Sequence, residues 1–175
     1  LIGKADDAAP ACAAVSPDGK TLALADDKGR IRLLDAATGK PGPVLEGHAK
    51  RVTCIAFSSD GRALASAADG EAVRLWDTTT GRERGRFPKL TDVTALALGW
   101  KGRRLAAGRP DGLIGVWDAG TGEELIRTPG HPGPVAALMF SADGRLLASA
   151  GPDHAPRVWE TATGMQLLAP AGHAG

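Results

Sequence analysis

Asparagine and tyrosine are absent from this 175-residue chain, and glutamine occurs once, at Gln166. Without asparagine there is no Asn-x-Ser/Thr acceptor for N-glycosylation. The two cysteines, Cys12 and Cys54, form neither a Cys-x-x-Cys pair nor a disulfide framework, which favours a reducing, cytoplasmic setting. No apolar run approaches the roughly 20 residues of a membrane span, and no basic stretch leads an apolar one as in a signal peptide, so no membrane partner is expected. The net charge of +1 argues against nucleic-acid binding by bulk charge. The chain opens on Leu1, and its native start is expected upstream. What is plentiful is glycine and proline, 24 and 12 residues, a proportion high for a helical protein. Arginine outnumbers lysine and alanine is abundant, the composition of a high-GC, bacterial genome. Apolar residues are 43% of the chain, enough for one domain with a sizeable core.

The chain repeats itself. Ser16-Pro17-Asp18-Gly19-Lys20 recurs as Ser58-Ser59-Asp60-Gly61-Arg62, as Gly99-Trp100-Lys101-Gly102-Arg103 and as Ser141-Ala142-Asp143-Gly144-Arg145, with the glycines 42, 41 and 42 residues apart. Leu33-Leu34-Asp35, Leu75-Trp76-Asp77, Val116-Trp117-Asp118 and Val158-Trp159-Glu160 keep the same register. A Gly-His pair stands at 47–48, 130–131 and 172–173. Three marks in one register establish an internal repeat.

Each repeat reads as short strands between turn signals. In the second, Val52–Phe57 ends at Asp60-Gly61, Ala63–Ala67 ends near Asp69-Gly70, Ala72–Asp77 ends at Thr80-Gly81, and Arg84–Phe87 is a more polar fourth run. Glycine accepts positive φ and aspartate bonds its own backbone, so such dipeptides support tight turns. No window has useful helical periodicity. Four antiparallel strands in about 42 residues make one propeller blade. The first strands, Val52–Phe57, Val93–Leu98 and Val135–Phe140, are apolar on both faces, as stacking between neighbouring blades requires. The expected fold is therefore all-β, a β-propeller of four four-stranded blades over about 8–46, 49–88, 91–129 and 132–170.

With Gly-His at one end of the repeat and Trp-Asp at the other, the chain resembles the WD40-repeat β-propeller family from about residue 8 to 173. The resemblance implies a buried hydrogen-bond network in each blade, joining a His before the first strand, a Ser or Thr in the second, an Asp in the next turn and the Trp of the third. The fourth repeat has all four members, His131, Ser149, Asp153 and Trp159. The second has His48, Ser66 and Trp76, with Asp69 one place early. The third keeps Asp111 and Trp117 but has Lys89 and Ala107 in the other two places. The first, with Asp6, Leu24, Lys28 and Leu34, has none of the four. The family usually closes with seven or eight blades, so four repeats read as part of a longer array, or as half of an eight-bladed ring made by two copies.

Asp18-Gly19-Lys20-Thr21 ends like a phosphate-binding loop, but Ala14 stands where that motif needs its first glycine, and the turn reading prevails. His48 and His131 have no further ligand at metal spacing and read as structural. Cys12 and Cys54 hold equivalent places and read as small buried filler. Trp100 replaces the proline of the turn and either folds back on its blade or serves as an exposed contact.

The first strands carry no acid and no histidine, leaving nothing for acid–base or nucleophilic chemistry. No catalytic residue, metal or cofactor is expected. The expected function is a non-catalytic interaction scaffold that binds a protein or peptide on its loop face, where Lys28, Lys50, Arg51, Glu71, Arg109 and His154 lie and aromatics are lacking. Self-association through exposed blade faces is expected with it. The alternatives are a structural spacer or regulatory propeller region of a larger bacterial multidomain protein, kinase- or protease-fused, or a propeller enzyme whose catalytic residues lie outside this chain.

Overall fold

The computed structural model describes residues 10–168. Asp6 and the Gly-His at 172–173 lie outside them. Among the described residues, sixteen strands form four antiparallel sheets, each in sequence order. Blade 1 holds β1 (Pro10–Val15), β2 (Thr21–Asp26), β3 (Ile31–Asp35) and β4 (Pro41–Leu45). Blade 2 holds β5 (Val52–Phe57), β6 (Ala63–Ala68), β7 (Val73–Asp77) and β8 (Glu83–Phe87). Blade 3 holds β9 (Ala95–Gly99), β10 (Arg104–Gly108), β11 (Leu113–Asp118) and β12 (Glu124–Pro129). Blade 4 holds β13 (Ala137–Phe140), β14 (Leu146–Ala150), β15 (Arg157–Glu160) and β16 (Gln166–Leu168). β9 and β13 begin two residues later than the apolar runs imply. Val93 and Val135 stay buried, but they precede the ladder: the Val135 carbonyl accepts a bond of 2.7 Å from the Thr94 hydroxyl of the preceding blade.

Two turn devices recur because the same residues recur. Between first and second strands, the serine hydroxyl of Ser16, Ser58 or Ser141 donates to Asp18, Asp60 or Asp143 at 2.6 Å. Each carboxylate also receives the backbone N–H two residues on, the local competition that favours a turn over a ladder. After the third strand, Asp35, Asp77 and Asp118 accept backbone N–H groups from the residues two and three ahead. In blade 3 the serine–aspartate pair is missing. A short 3-10 turn, Trp100–Gly102, replaces it, with Trp100 and Lys101 both at positive φ.

The core lies between the blades. One apolar cluster joins Ile31, Leu33 and Leu45 of blade 1 to Val52, Leu64 and Trp76 of blade 2. A second joins Leu75 and Phe87 to Leu96, Leu98 and Leu105. A third joins Ile114 and Val116 to Val135, Leu147 and Trp159. The cysteines sit at these seams: the Cys12 thiol faces the Val52 carbonyl at 3.8 Å and the Cys54 thiol the Thr94 carbonyl at 3.3 Å. Burial, with the neighbouring Cys54 adding to it, pushes the Cys12 thiol up to about 11, so it stays protonated and unreactive.

Burial along the strands shows where stacking stops. In blade 2, Ala63–Ala68 are all buried. In blade 4, buried Leu147 and Ser149 alternate with exposed Leu146 and Ala148. Among the described residues, no helix is long and apolar enough to cross a membrane.

Candidate functional site

Blades 2 and 4 each carry a polar chain at the end of a seam. In blade 2, the Trp76 indole N–H donates to Ser66 Oγ at 2.8 Å. Ser66 Oγ lies 2.8 Å from His48 Nε2, and His48 Nδ1 lies 2.7 Å from Glu71 Oε2. An indole only donates and a carboxylate only accepts. The hydroxyl must therefore donate to Nε2, and Nδ1 carries the proton toward Glu71. In blade 4, Trp159, Ser149, His131 and Asp153 repeat the chain at 2.8, 2.9 and 2.8 Å. The previous blade positions each histidine. A Cβ added to Gly112, at φ +82, would stand 1.8 Å from the His131 carbonyl oxygen, and one on Gly29, at φ +86, would stand 2.3 Å from that of His48. Only glycine permits both the conformation and the approach.

Three expectations about this network need correction. Glu71, not Asp69, closes it in blade 2. Its longer side chain reaches His48 from one position further on and also accepts the Ala49 N–H at 3.0 Å, whereas Asp69 is exposed. Glu71 is therefore a network member and is not free on the loop face. Asp111 belongs to no network: it is exposed, accepts the Leu113 N–H within its own turn, and lies 4.0 Å from Arg109. Trp117 is half-buried, and with Ala107 in place of serine its indole N–H has no partner among the described residues.

Two arginines outside the expected set stand beside the tryptophans, and Arg157 joins the blade 4 network directly. Arg74 donates to Glu83 at 2.6 Å and to the Gly47 carbonyl, and lies over the Trp76 ring at 5.9 Å. Arg157 donates to Asp153 at 2.7 Å and touches His131. Both stand two residues before the tryptophan, a register visible in Arg74-Leu75-Trp76 and Arg157-Val158-Trp159.

Burial lowers the His48 pKa against the opposing hydrogen bond to Glu71. Burial also acts to raise Glu71, but the bonds from His48 and the Ala49 N–H outweigh it and hold the carboxyl below its ordinary value. Both pKa values are depressed in the folded state, so their contribution to stability is present above the ordinary values of 6.5 and 4.5 and is lost as pH falls through the folded ones. Thermal melts followed by circular dichroism should show the midpoint falling below about pH 6.5 and again below about pH 4.5. His48→Gln should flatten the first limb.

Removing the shared hydroxyl should be costly. Ser149 is 3% exposed and receives the Trp159 N–H. Ser149→Ala should destabilise the chain by about 1–3 kcal/mol, the cost of leaving buried partners unpaired. Asp27→Ala, at an exposed turn position of blade 1, should stay within about 0.5 kcal/mol. Urea midpoints measure both; equal shifts would remove the network from the account of stability.

On the loop face, Lys28, Lys50, Arg51 and His154 are exposed and Arg109 is half-buried. Lys28 precedes Gly29, where an added Cβ would stand 2.9 Å from the Lys50 carbonyl oxygen, so Lys28, Lys50 and Arg51 share one patch. Asp26, two residues before Lys28, is turned inward. It is 1% exposed and holds its turn through the Lys28 and Arg30 N–H groups and the Arg30 side chain at 2.9 Å. His154 sits apart, in the blade 4 turn at φ 53. Trp100 is 44% exposed. Its ring lies under Arg103 and Arg104, and an added Cβ on Gly144 of blade 4 would stand 2.7 Å from its own Cβ. It therefore bridges to the next blade and still shows part of its surface.

Two segments, 39–77 and 122–160, match the family model for the WD domain, G-beta repeat. No curated protein matches the chain. Solved structures match widely, with 1685 chains, so the fold alone does not single out a partner. One chain, from a "Crystal Structure of Mitotic Checkpoint Complex", superposes with a TM-score of 0.83 at 24% identity. The match covers 95% of the present chain and 55% of that one, so the chain spans about half the length of that relative. The likeness shows the fold.

Proposed function

The chain carries WD40 repeats folded as four propeller blades, and on that premise we propose that it is a non-catalytic scaffold whose loop face binds an acidic segment of a protein partner. One observation carries the reading. Two carboxylates of that face are turned inward, Asp26 to its own turn and Glu71 to His48, and Asp27 and Asp69 stay exposed beside Lys28, Lys50 and Arg51, three cations that have no ionic partner among the described residues. Three exposed cations against two exposed carboxylates leave the patch a small positive excess, which favours an oppositely charged segment. The first strands β1, β5, β9 and β13 carry no acid or histidine, which supports binding over turnover.

Selection from a random peptide library on the immobilised chain tests this. Recovered peptides should be rich in Asp and Glu, bind more weakly as salt rises, and be lost on Lys28→Glu/Lys50→Glu/Arg51→Glu with the sheet signal intact. Peptides without acidic bias, or retained by the triple variant, would overturn it.

A second reading, association with another copy through the exposed faces of blades 1 and 4, rests on Val15 and Met139, which are 58% and 71% exposed.

A further inference from the structure

Blade 3 lacks three side chains that cover the tryptophan in blades 2 and 4. Lys89 stands at the place of His48 and His131, Ala107 at that of Ser66 and Ser149, and Gly115 at that of Arg74 and Arg157. The consequences are local. Lys89 is exposed instead of packed inward. The Trp117 ring has moved over Gly115: a Cβ there would stand 2.2 Å from its Cη2. Trp76 and Trp159 are 2% and 4% exposed, whereas Trp117 is only half-buried. A cavity of about 410 Å³ opens over it, between the outer strand β8 of blade 2 and strands β11 and β12 of blade 3. That volume is within the usual range for a ligand pocket, about 300–1,000 Å³.

The lining has two chemistries. Trp117, Phe87, Leu90 and Ile114 supply apolar surface. Lys89 and Arg109 supply positive charge. Lys89 has no ionic partner among the described residues. The Arg109 side chain is 34% exposed, and its nearest carboxylate is Asp111 at 4.0 Å. The other two cations of the lining are already used, Arg86 with Glu83 at 2.9 Å and Arg127 with Glu124 at 2.8 Å. An anionic group entering here would meet Lys89 and the exposed part of the Arg109 guanidinium in charge-assisted bonds.

We infer that this cavity binds a peptide segment in which a large apolar side chain, best an aromatic one, stands next to a carboxylate. The side chain enters over Trp117, and the carboxylate meets Arg109 and Lys89. Occupancy by a peptide follows from the position of the cavity between two outer strands, whose paired charges leave a polar rim along which a chain can continue. The site is separate from the Lys28–Lys50–Arg51 patch and does not depend on it.

Titration of the ¹⁵N-labelled chain with acetyl-Asp-Phe-Asp-amide tests the inference. The indole N–H resonance of Trp117, identified by its loss in Trp117→Phe, should move and saturate with a Kd of about 1 mM, and should respond about tenfold more weakly to acetyl-Lys-Phe-Lys-amide or acetyl-Asp-Ser-Asp-amide. Lys28→Glu should leave the response unchanged, which separates failure of this site from failure of the loop-face reading. The triple variant Lys89→His/Ala107→Ser/Gly115→Arg rebuilds the arrangement of blades 2 and 4, and should abolish the response with the sheet signal retained. Should that variant not fold, Lys89→Gln/Arg109→Gln must weaken the acidic peptide about tenfold. No saturable movement by about 10 mM, an equal response to the basic peptide, or undiminished binding in the filled variant would overturn the inference.

Discussion

Trp76→Ala should cost about 3–5 kcal/mol, the usual loss for deleting a buried aromatic side chain. The ring is 2% exposed, belongs to the seam between blades 1 and 2, and gives its N–H to Ser66. Removing it leaves a cavity and also withdraws the donor at the head of the Ser66–His48–Glu71 chain. Set against a total stability of about 5–15 kcal/mol for an ordinary domain, one substitution removes a large part. The remaining tryptophans should rank by burial and bonding. Trp159→Ala should match Trp76→Ala, since its seam and its serine are equivalent. Trp117→Ala should cost less, because that ring is half-buried without a hydrogen bond. Trp100→Ala should cost about 1 kcal/mol or less, the scale of its exposed contacts with Arg103 and Arg104. Urea denaturation gives the order. Trp117 matching Trp76 would contradict the account of blade 3 as the blade without a network.

The chain by itself should associate, and static light scattering after size exclusion should give twice 17.9 kDa. The reason lies in the two outermost blades. Ala63 and Ala65 of blade 2 are 1% and 0% exposed because blade 3 covers them. Their counterparts in blade 4, Leu146 and Ala148, are exposed, as are Ala137 and Met139 beside them. At the other end, Ala13 and Val15 are exposed in β1, although Ile55 and Phe57, their counterparts in β5, pack against blade 1. The bare face of blade 4 is thus the kind that receives a following blade, and that of blade 1 the kind that receives a preceding one. Two copies related by a two-fold axis would cover all four faces and close a ring of eight blades. Met139→Glu with Val15→Glu, at positions 71% and 58% exposed, should return the chain to 17.9 kDa, since burying unpaired like charges at a seam is prohibitive. A soluble monomer at micromolar concentration without these substitutions would refute the association.

Much of the site was visible in residue order. His131 and Trp159 stand at marks that recur in register, and Ser149 and Asp153 were nameable with them only through the resemblance to the WD40-repeat family. Glu71 was not, because a glutamate one place further on reaches as far as an aspartate in the usual place, and spacing does not measure side-chain length. The cavity over Trp117 was hidden for a different reason. Lys89, Ala107 and Gly115 are separated by 18 and 8 residues, and each substitution alone reads as harmless drift. Only their convergence around one ring makes a space.

Residue order alone determined the blade count and the turns of blades 1, 2 and 4, because serine–aspartate turns and the turns after the third strands are settled by neighbours two or three positions away. Tertiary structure alone decided which apolar strands are covered. Ala63-Leu64-Ala65-Ser66 and Leu146-Leu147-Ala148-Ser149 are nearly the same phrase, yet one is buried on both faces and the other on one. A residue's burial depends on whether a neighbouring blade is there to exclude water, and that neighbour lies about forty residues away or outside the chain.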